Sequence, residues 1–239
     1  MNIDPTSFKR RGFLYRVLAE AGAEFGEVGG AAVALRYRQS VERETERARH
    51  LAIADLSPLP RCGFKGNGAV EWLQSQGLDI GPDSNKAYRQ PNGALAARLA
   101  PTEIFLIDDL GGEGRLSARL NAAWSWGKEK PRKPCGYPMP RADSHAWFAV
   151  VGAESPTMFS KICGVDLRGH RFPDLAIAQT SVAKMNAIVI REDRGGVPGF
   201  HLLADSASAE YLWACVIDAM EEFNSAAVGL EALRRLGGP

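Results

Sequence analysis

Asp108-Asp109 closes an apolar run at Ile104–Ile107 and precedes Gly111-Gly112. Two adjacent carboxylates at a strand end suit general acid–base work or a hard cation. The same residues also make an ordinary turn, because Asp accepts from the backbone that follows it and glycine supplies the bend. The turn is the more economical reading, and Asp108 and Asp109 stand as the candidate catalytic positions. Gln179-Thr180-Ser181 sits before a strand-like run, where polar groups either face a ligand or turn the chain. Tyr211 opens a helical run and reads first as packing. The four histidines, His50, His145, His170 and His201, adjoin no nucleophile motif, so no Ser-His-Asp order follows. His201 alternates within the apolar strand Phe200–Ala204 and reads as a hydrogen-bonded core histidine. Trp124 and Trp126 suit a helix end and an interface patch.

Several chemistries are disfavoured. Cys62, Cys135, Cys163 and Cys215 form no CxxC pair, which argues against zinc ribbons and dithiol redox sites, and no metal is expected. Gly66-Asn67-Gly68 lacks the third glycine and later acid of a dinucleotide fingerprint, and no GxxxxGK[ST] is present. Formal net charge is +1, so no overall field draws the chain to nucleic acid or acidic lipid. Met1–Lys9 is polar and holds Pro5, unlike a secretory signal. No run reaches the roughly eighteen apolar residues that span a membrane. The expectation is a cytoplasmic chain with reduced cysteines.

The 239 residues, 45% hydrophobic and 24% charged, support a sizeable core. Periodicity predicts helices over 13–23, 69–76, 115–124, 157–162 and 209–223, the last capped by Asp205 or Ser206. Strands are predicted over 31–37, 60–66, 94–99, 104–107, 147–151, 183–191 and 200–204. Val41–His50 (VERETERARH) reads as a solvated helix face, with a folate-tail or phosphate clamp as the minority view. Pro82–Pro91 reads as a polar loop. Gly127–Pro140, with four prolines and four basic residues, reads as a connection. "GNGAVEWLQSQGLDI" from Gly66 and "GAESPTMFSKICGVDL" from Gly152 share one plan: strand, glycine, short helix, glycine, apolar residue, Asp. The predicted fold is α+β, with two pseudo-repeated strand–helix–strand–strand–helix halves. Residues 1–126 form one half, 127–144 the connection and 145–239 the other, together making one domain.

These landmarks resemble the aminomethyltransferase family, the T-protein of glycine cleavage and its folate-binding relatives. The likeness rests on "LAEAGAEFGEVGG" (Leu18–Gly30) and on "ERETERARHLAIADLSPLPRCGFKGNGAVEWLQ" (Glu42–Gln74) with its Asp-x-Ser turn. The second half, above all "SASAEYLWACVIDAMEEF" from Ser206, is closer to the gamma subunit of heterotetrameric sarcosine oxidase. The likeness covers about residues 13–110 and 145–232.

The resemblance implies a folate-binding fold and a test of it. A T-protein carries a Tyr and then Gly-Gly-x-x-Asp-Asp, whose carboxylate sits beside the folate nitrogen that accepts the one-carbon unit. Such a group steers a proton and stabilises charge near an iminium. Here Tyr88 matches and Asn92-Gly93 stands for the glycine pair, but the aspartates fall on Ala96, Ala97 or Arg98. The resemblance makes Tyr88 and Asn92 candidate cofactor-binding positions, to which the residue reading adds Gln179 and Tyr211, with tetrahydrofolate as the cofactor. Full enzymes of the family also carry a C-terminal barrel over the folate, which this sequence does not reach by Pro239. The gamma subunits lack a site of their own and lie against larger subunits holding flavin, nicotinamide dinucleotide and folate. Hence the expected role is a gamma-type subunit of a sarcosine- or methylamine-type oxidase or oxygenase, with flavin only in a partner. The alternative is a stand-alone tetrahydrofolate-dependent aminomethyltransferase using Tyr88 with Asp108 or Asp109. A folate-binding maturation factor ranks third, since its cysteine signature is absent around Cys163 and Cys215.

Overall fold

The structure, a computed structural model, describes residues 2–124 and 136–238. Most of the predicted connection, with Trp126 and Cys135, lies outside the described residues. The chain opens with β1 (Arg10–Arg11), α1 (Tyr15–Glu20), β2 (Glu24–Val28), β3 (Ala31–Arg36), α2 (Val41–His50) and β4 (Ala52–Asp55). It continues with β5 (Arg61–Lys65), α3 (Ala69–Ser75), β6 (Lys86–Arg89), β7 (Leu95–Ala100), β8 (Glu103–Ile107), α4 (Arg115–Ala123), β9 (Tyr137–Met139) and α5 (Arg141–Ser144). The last stretch holds β10 (His145–Val151), α6 (Ser155–Phe159), β11 (Ile177–Val182), β12 (Met185–Arg191), β13 (Gly199–Asp205), α7 (Ala209–Met220), β14 (Ala226–Ala227) and α8 (Leu230–Leu236). The fold is α+β.

Two units result, and they are not the two sequence halves. Residues 1–58 fold with 145–239, and residues 59–144 form the second unit. Strand pairing explains the division: β4 lies antiparallel to β10, with Phe148 opposite Asp55, so the opening segment is committed to the C-terminal sheet.

In the first unit that sheet runs β11-β12-β13-β10-β4-β14, and a smaller sheet runs β1-β3-β2. Along β10, residues 146–151 are all buried, which accounts for its unbroken apolar run. Phe148, Phe159, Phe200, Leu212 and Trp213 fill the core. In α2 the predicted solvated face is incomplete. Glu44, Thr45 and Ala48 are buried, and Glu44 is wholly enclosed. Its carboxylate accepts from the N–H groups of Tyr37 (2.5 Å) and Gly229 (2.7 Å). Gly229 is required there, because a Cβ would stand 1.9 Å from the Leu35 carbonyl oxygen.

In the second unit the sheet runs β6-β7-β8-β5-β9. Gly68 opens α3 and Gly77, at φ +85°, follows its end, as the sequence spacing requires. Phe64, Trp72 and Trp124 meet with ring centroids 4.3–5.5 Å apart. Trp124 is thus core and not the interface residue expected of it. Two strands lie where the sequence reading has none: β6 inside the "polar loop" and β11 over Gln179-Thr180-Ser181. Both are sheet-edge strands of mixed burial, so neither shows an apolar run. The sequence 5, 6, 7, 8 gives the order β6-β7-β8-β5, and 10, 11, 12, 13 gives β11-β12-β13-β10. No helix of the described residues is long and apolar enough to cross a membrane.

Candidate functional site

Strand β7 sits between β6 and β8, with Ala97 opposite Ala87 on one side and Phe105 on the other. Ala96 and Ala97 are fully buried. The Arg98 guanidinium donates to the carbonyls of Gly81 (2.6 Å) and Pro101 (3.2 Å). No acid stands on this strand, and its one charged residue is engaged by backbone carbonyls.

Asp108 and Asp109 follow β8, next to the start of β7, because Leu95 pairs with Ile107. Asp108 is buried and Oδ2 accepts from the Ser117 N–H (3.2 Å), in the first turn of α4. A carboxylate there caps free N–H groups and meets the positive end of the helix dipole. Its other oxygen, Oδ1, meets no donor. Burial pushes the Asp108 carboxyl up, its Ser117 hydrogen bonds pull it down, and the charge of Asp109 adds to the rise. Nearby Cys62 is pushed up to about 12 by burial, opposed by Ser117 and reinforced by Asp108. That thiol is inert at neutral pH.

Asp109 faces the other way. Its Oδ1 accepts from the Gly111 N–H (2.6 Å), and the Gly112 N–H donates to its carbonyl (3.2 Å), an Asx turn into Gly112 at φ +77°. A Cβ on Gly93 would stand 3.6 Å from the Asp109 Cβ, so the Asn92-Gly93 turn and Asp109 are neighbours. The Asn92 side chain accepts from the Ala94 N–H (3.4 Å) and borders a cavity of about 280 Å³ with Gln90, Leu116 and Arg119. Tyr88 is placed elsewhere. Its hydroxyl donates to the Asp83 carbonyl (3.1 Å) and accepts from the Asp83 N–H (3.0 Å), fastening the loop that precedes β6. Asn92 and Asp109 are therefore brought together, and Tyr88 and Asp108 are not added to them.

In the first unit Gln179 is exposed on the edge strand β11, opposite Ile188. Tyr211, half-exposed at the start of α7, donates to the Ala183 carbonyl (3.2 Å). The sequence reading missed the polar line that joins Trp147, His201, Glu192 and Arg194. Trp147 Nε1–H donates to His201 Nδ1 (2.9 Å), which leaves Nε2–H to face Glu192 Oε2 (2.9 Å). Arg194 pairs with the same carboxylate. Burial pushes Glu192 up, but His201 and Arg194 outweigh it and hold it at about 2. The alternation around His201 did signal a hydrogen-bonded core residue; its partners are set by strand register, far away in sequence. Among the described residues no group of three or more His, Cys, Asp or Glu could hold a metal ion.

No protein-family model matches the sequence. An aminomethyltransferase of Bacteroides thetaiotaomicron is 24% identical over 228 residues, covering 88% of this chain and 59% of the relative. That of Bacillus subtilis is 22% identical, covering 92% and 61%. The glycine cleavage system aminomethyltransferase T of Bartonella henselae superimposes with a TM-score of 0.69 over 95% of this chain and 61% of its own, at 19% identity. The chain is aminomethyltransferase-like. It spans about three fifths of the length of the curated relatives it matches. A chain of the heterotetrameric sarcosine oxidase of Corynebacterium sp. U-96 superimposes with a TM-score of 0.60 at 19% identity, over 80% of this chain and 98% of its own. The aminomethyltransferase-like fold is thus shared with proteins of two kinds, and the site residues must separate them.

Proposed function

We propose that this aminomethyltransferase-like chain is a gamma-type subunit of a sarcosine- or methylamine-type N-demethylating oxidase or oxygenase. In this reading it supports folate-linked one-carbon transfer from beside larger, flavin-bearing chains. The observation that carries the proposal is β7: two buried alanines and an engaged arginine stand where the T-protein pattern calls for aspartates. A methyl group can neither take a proton from the carbon-carrying nitrogen nor balance charge at an iminium. The likeness of fold to a chain of a heterotetrameric sarcosine oxidase is in keeping with the same reading.

Tetrahydrofolate is poorly served by the candidates named for it. The Tyr88 hydroxyl is occupied by Asp83, Asn92 supports its own turn, and the Tyr211 hydroxyl is bonded to the Ala183 carbonyl. No step is therefore assigned through folate on this chain alone, and folate is placed on a surface shared with a partner.

The stand-alone enzyme is favoured by one observation, the approach of Asp109 to Gly93. Calorimetric titration of the isolated chain with tetrahydrofolate separates the readings. The subunit proposal expects no heat at micromolar protein, and a saturable micromolar isotherm would reject it.

A further inference from the structure

From Lys9 to Arg16 the chain reads Lys-Arg-Arg-Gly-Phe-Leu-Tyr-Arg, with no carboxylate anywhere between Pro5 and Ala19. In a chain of net charge +1 this is a local concentration of cations. The segment is firmly held. β1 pairs parallel with β3, Arg10 Nε donates to the Pro58 carbonyl (2.7 Å), and Leu14 is fully buried. Gly12 lies so close to Asp55 that a Cβ would stand 2.4 Å from Oδ2. Between the two anchors Phe13 is turned outward, 38% exposed, although burying a ring of that size would be favourable.

The cations on either side of Phe13 in the sequence are braced against Tyr15 and not neutralised. The guanidinium carbons of Arg11 and Arg16 stand 4.9 and 5.1 Å from the Tyr15 ring centroid. Among the described residues no ion pair joins Lys9, Arg11 or Arg16 to a carboxylate. Asp4, whose charge reaches Arg11, is already hydrogen-bonded to the Thr6 N–H and hydroxyl. At its C-terminal end α1 borders a shallow cavity of about 590 Å³ lined by Ile3, Ala19, Phe25 and Arg38.

We propose that the Lys9–Arg16 turn is a docking surface for the acidic face of a protein partner, with Phe13 as its apolar anchor. An exposed aromatic flanked in sequence by exposed arginines, on a segment anchored by β1 and Leu14, has the composition of a protein–protein hot spot. Nucleic acid would call for a broader basic field, and a membrane surface for a larger apolar face. Naming the partner as the larger oxidase chain rests on the function proposed above; the docking itself does not.

Fluorescence anisotropy with a labelled glutamate-rich peptide tests the docking. Wild type binds it in low salt and releases it as salt is raised. Arg11→Glu/Arg16→Glu weakens binding roughly tenfold, and Phe13→Ala roughly fivefold. The matched reversal Arg43→Glu/Arg171→Glu, at exposed cations elsewhere on the same unit, leaves binding unchanged, and circular dichroism shows all variants folded. No peptide binding by wild type, an equal loss in the matched control, or tighter binding to a single-stranded RNA or to phosphatidylserine vesicles would overturn the proposal. A pull-down from the native cell separates the two readings. A flavin-bearing chain held by wild type but equally by Arg11→Glu/Arg16→Glu rejects docking here. Its absence from both rejects the functional reading and leaves the peptide result to decide the docking.

Discussion

Asp108 carries a carboxylate oxygen with no donor in the interior of its unit, and this has a pH signature. Its folded pKa lies above the unfolded value, so folding favours the protonated form. That stabilisation is complete below the unfolded pKa and is lost as pH rises through the folded one. Asp108→Asn keeps the acceptor for the Ser117 N–H and removes the charge. It should raise stability by about 1 kcal/mol at pH 7 and by less at pH 4, measured by urea unfolding. A loss at both pH values would count against the assignment. Glu44 is the opposite case, a buried carboxylate using both oxygens on backbone N–H groups. Glu44→Gln turns one acceptor into an amide facing an N–H and should cost about 2 kcal/mol in the same assay. For Asp109 the chemistry is at stake. In the subunit reading Asp109→Asn changes the turnover of the assembled complex by no more than about twofold. A catalytic Asp109 predicts a loss of about 100-fold.

At the scale of elements, the hairpin between β11 and β12 stores strain. Ala183 and Lys184 both have positive φ, +49° and +65°, in a two-residue turn that favours Asn-Gly. The Ala183 N–H donates to the Ile162 carbonyl and its own carbonyl accepts from Tyr211, so tertiary contacts hold a turn that local chemistry disfavours. Lys184→Gly should stabilise the protein by about 1 kcal/mol, read as a higher urea midpoint at unchanged slope. This turn also shows why the sequence reading extended a strand back to residue 183: Val182-Ala183 continues the apolar run, and no glycine marks the bend. Where punctuation is explicit the elements were legible, as with Gly66–Gly68 before α3 and Gly77 after it, whereas Asp205 caps the 3-10 turn Ser206–Ser208 that leads into α7 and not α7 itself. The edge strands β6 and β11 and the small helix α8 were not legible, since none combines length with a clean period.

At the scale of the molecule, the pairing of β4 with β10 unites segments some ninety residues apart, and nothing local in either strand announces it. The likeness to aminomethyltransferases was legible because glycine turns and the Asp55-Leu56-Ser57 turn recur in order along the chain. The run of alanines on which the subunit proposal rests is plain in the sequence too. What the sequence concealed is how the remaining candidates are engaged. Tyr88 fastens its own loop, Asp108 caps α4, and Tyr211 donates to the Ala183 carbonyl. The measurement that bears most directly on the passive-subunit account is purification of the tagged chain from its native cell, with flavin absorbance followed across a sizing column. The account predicts a hetero-oligomer in which a larger flavin-bearing chain co-elutes with this one. A colourless, monodisperse monomer that alone forms methylenetetrahydrofolate would contradict it.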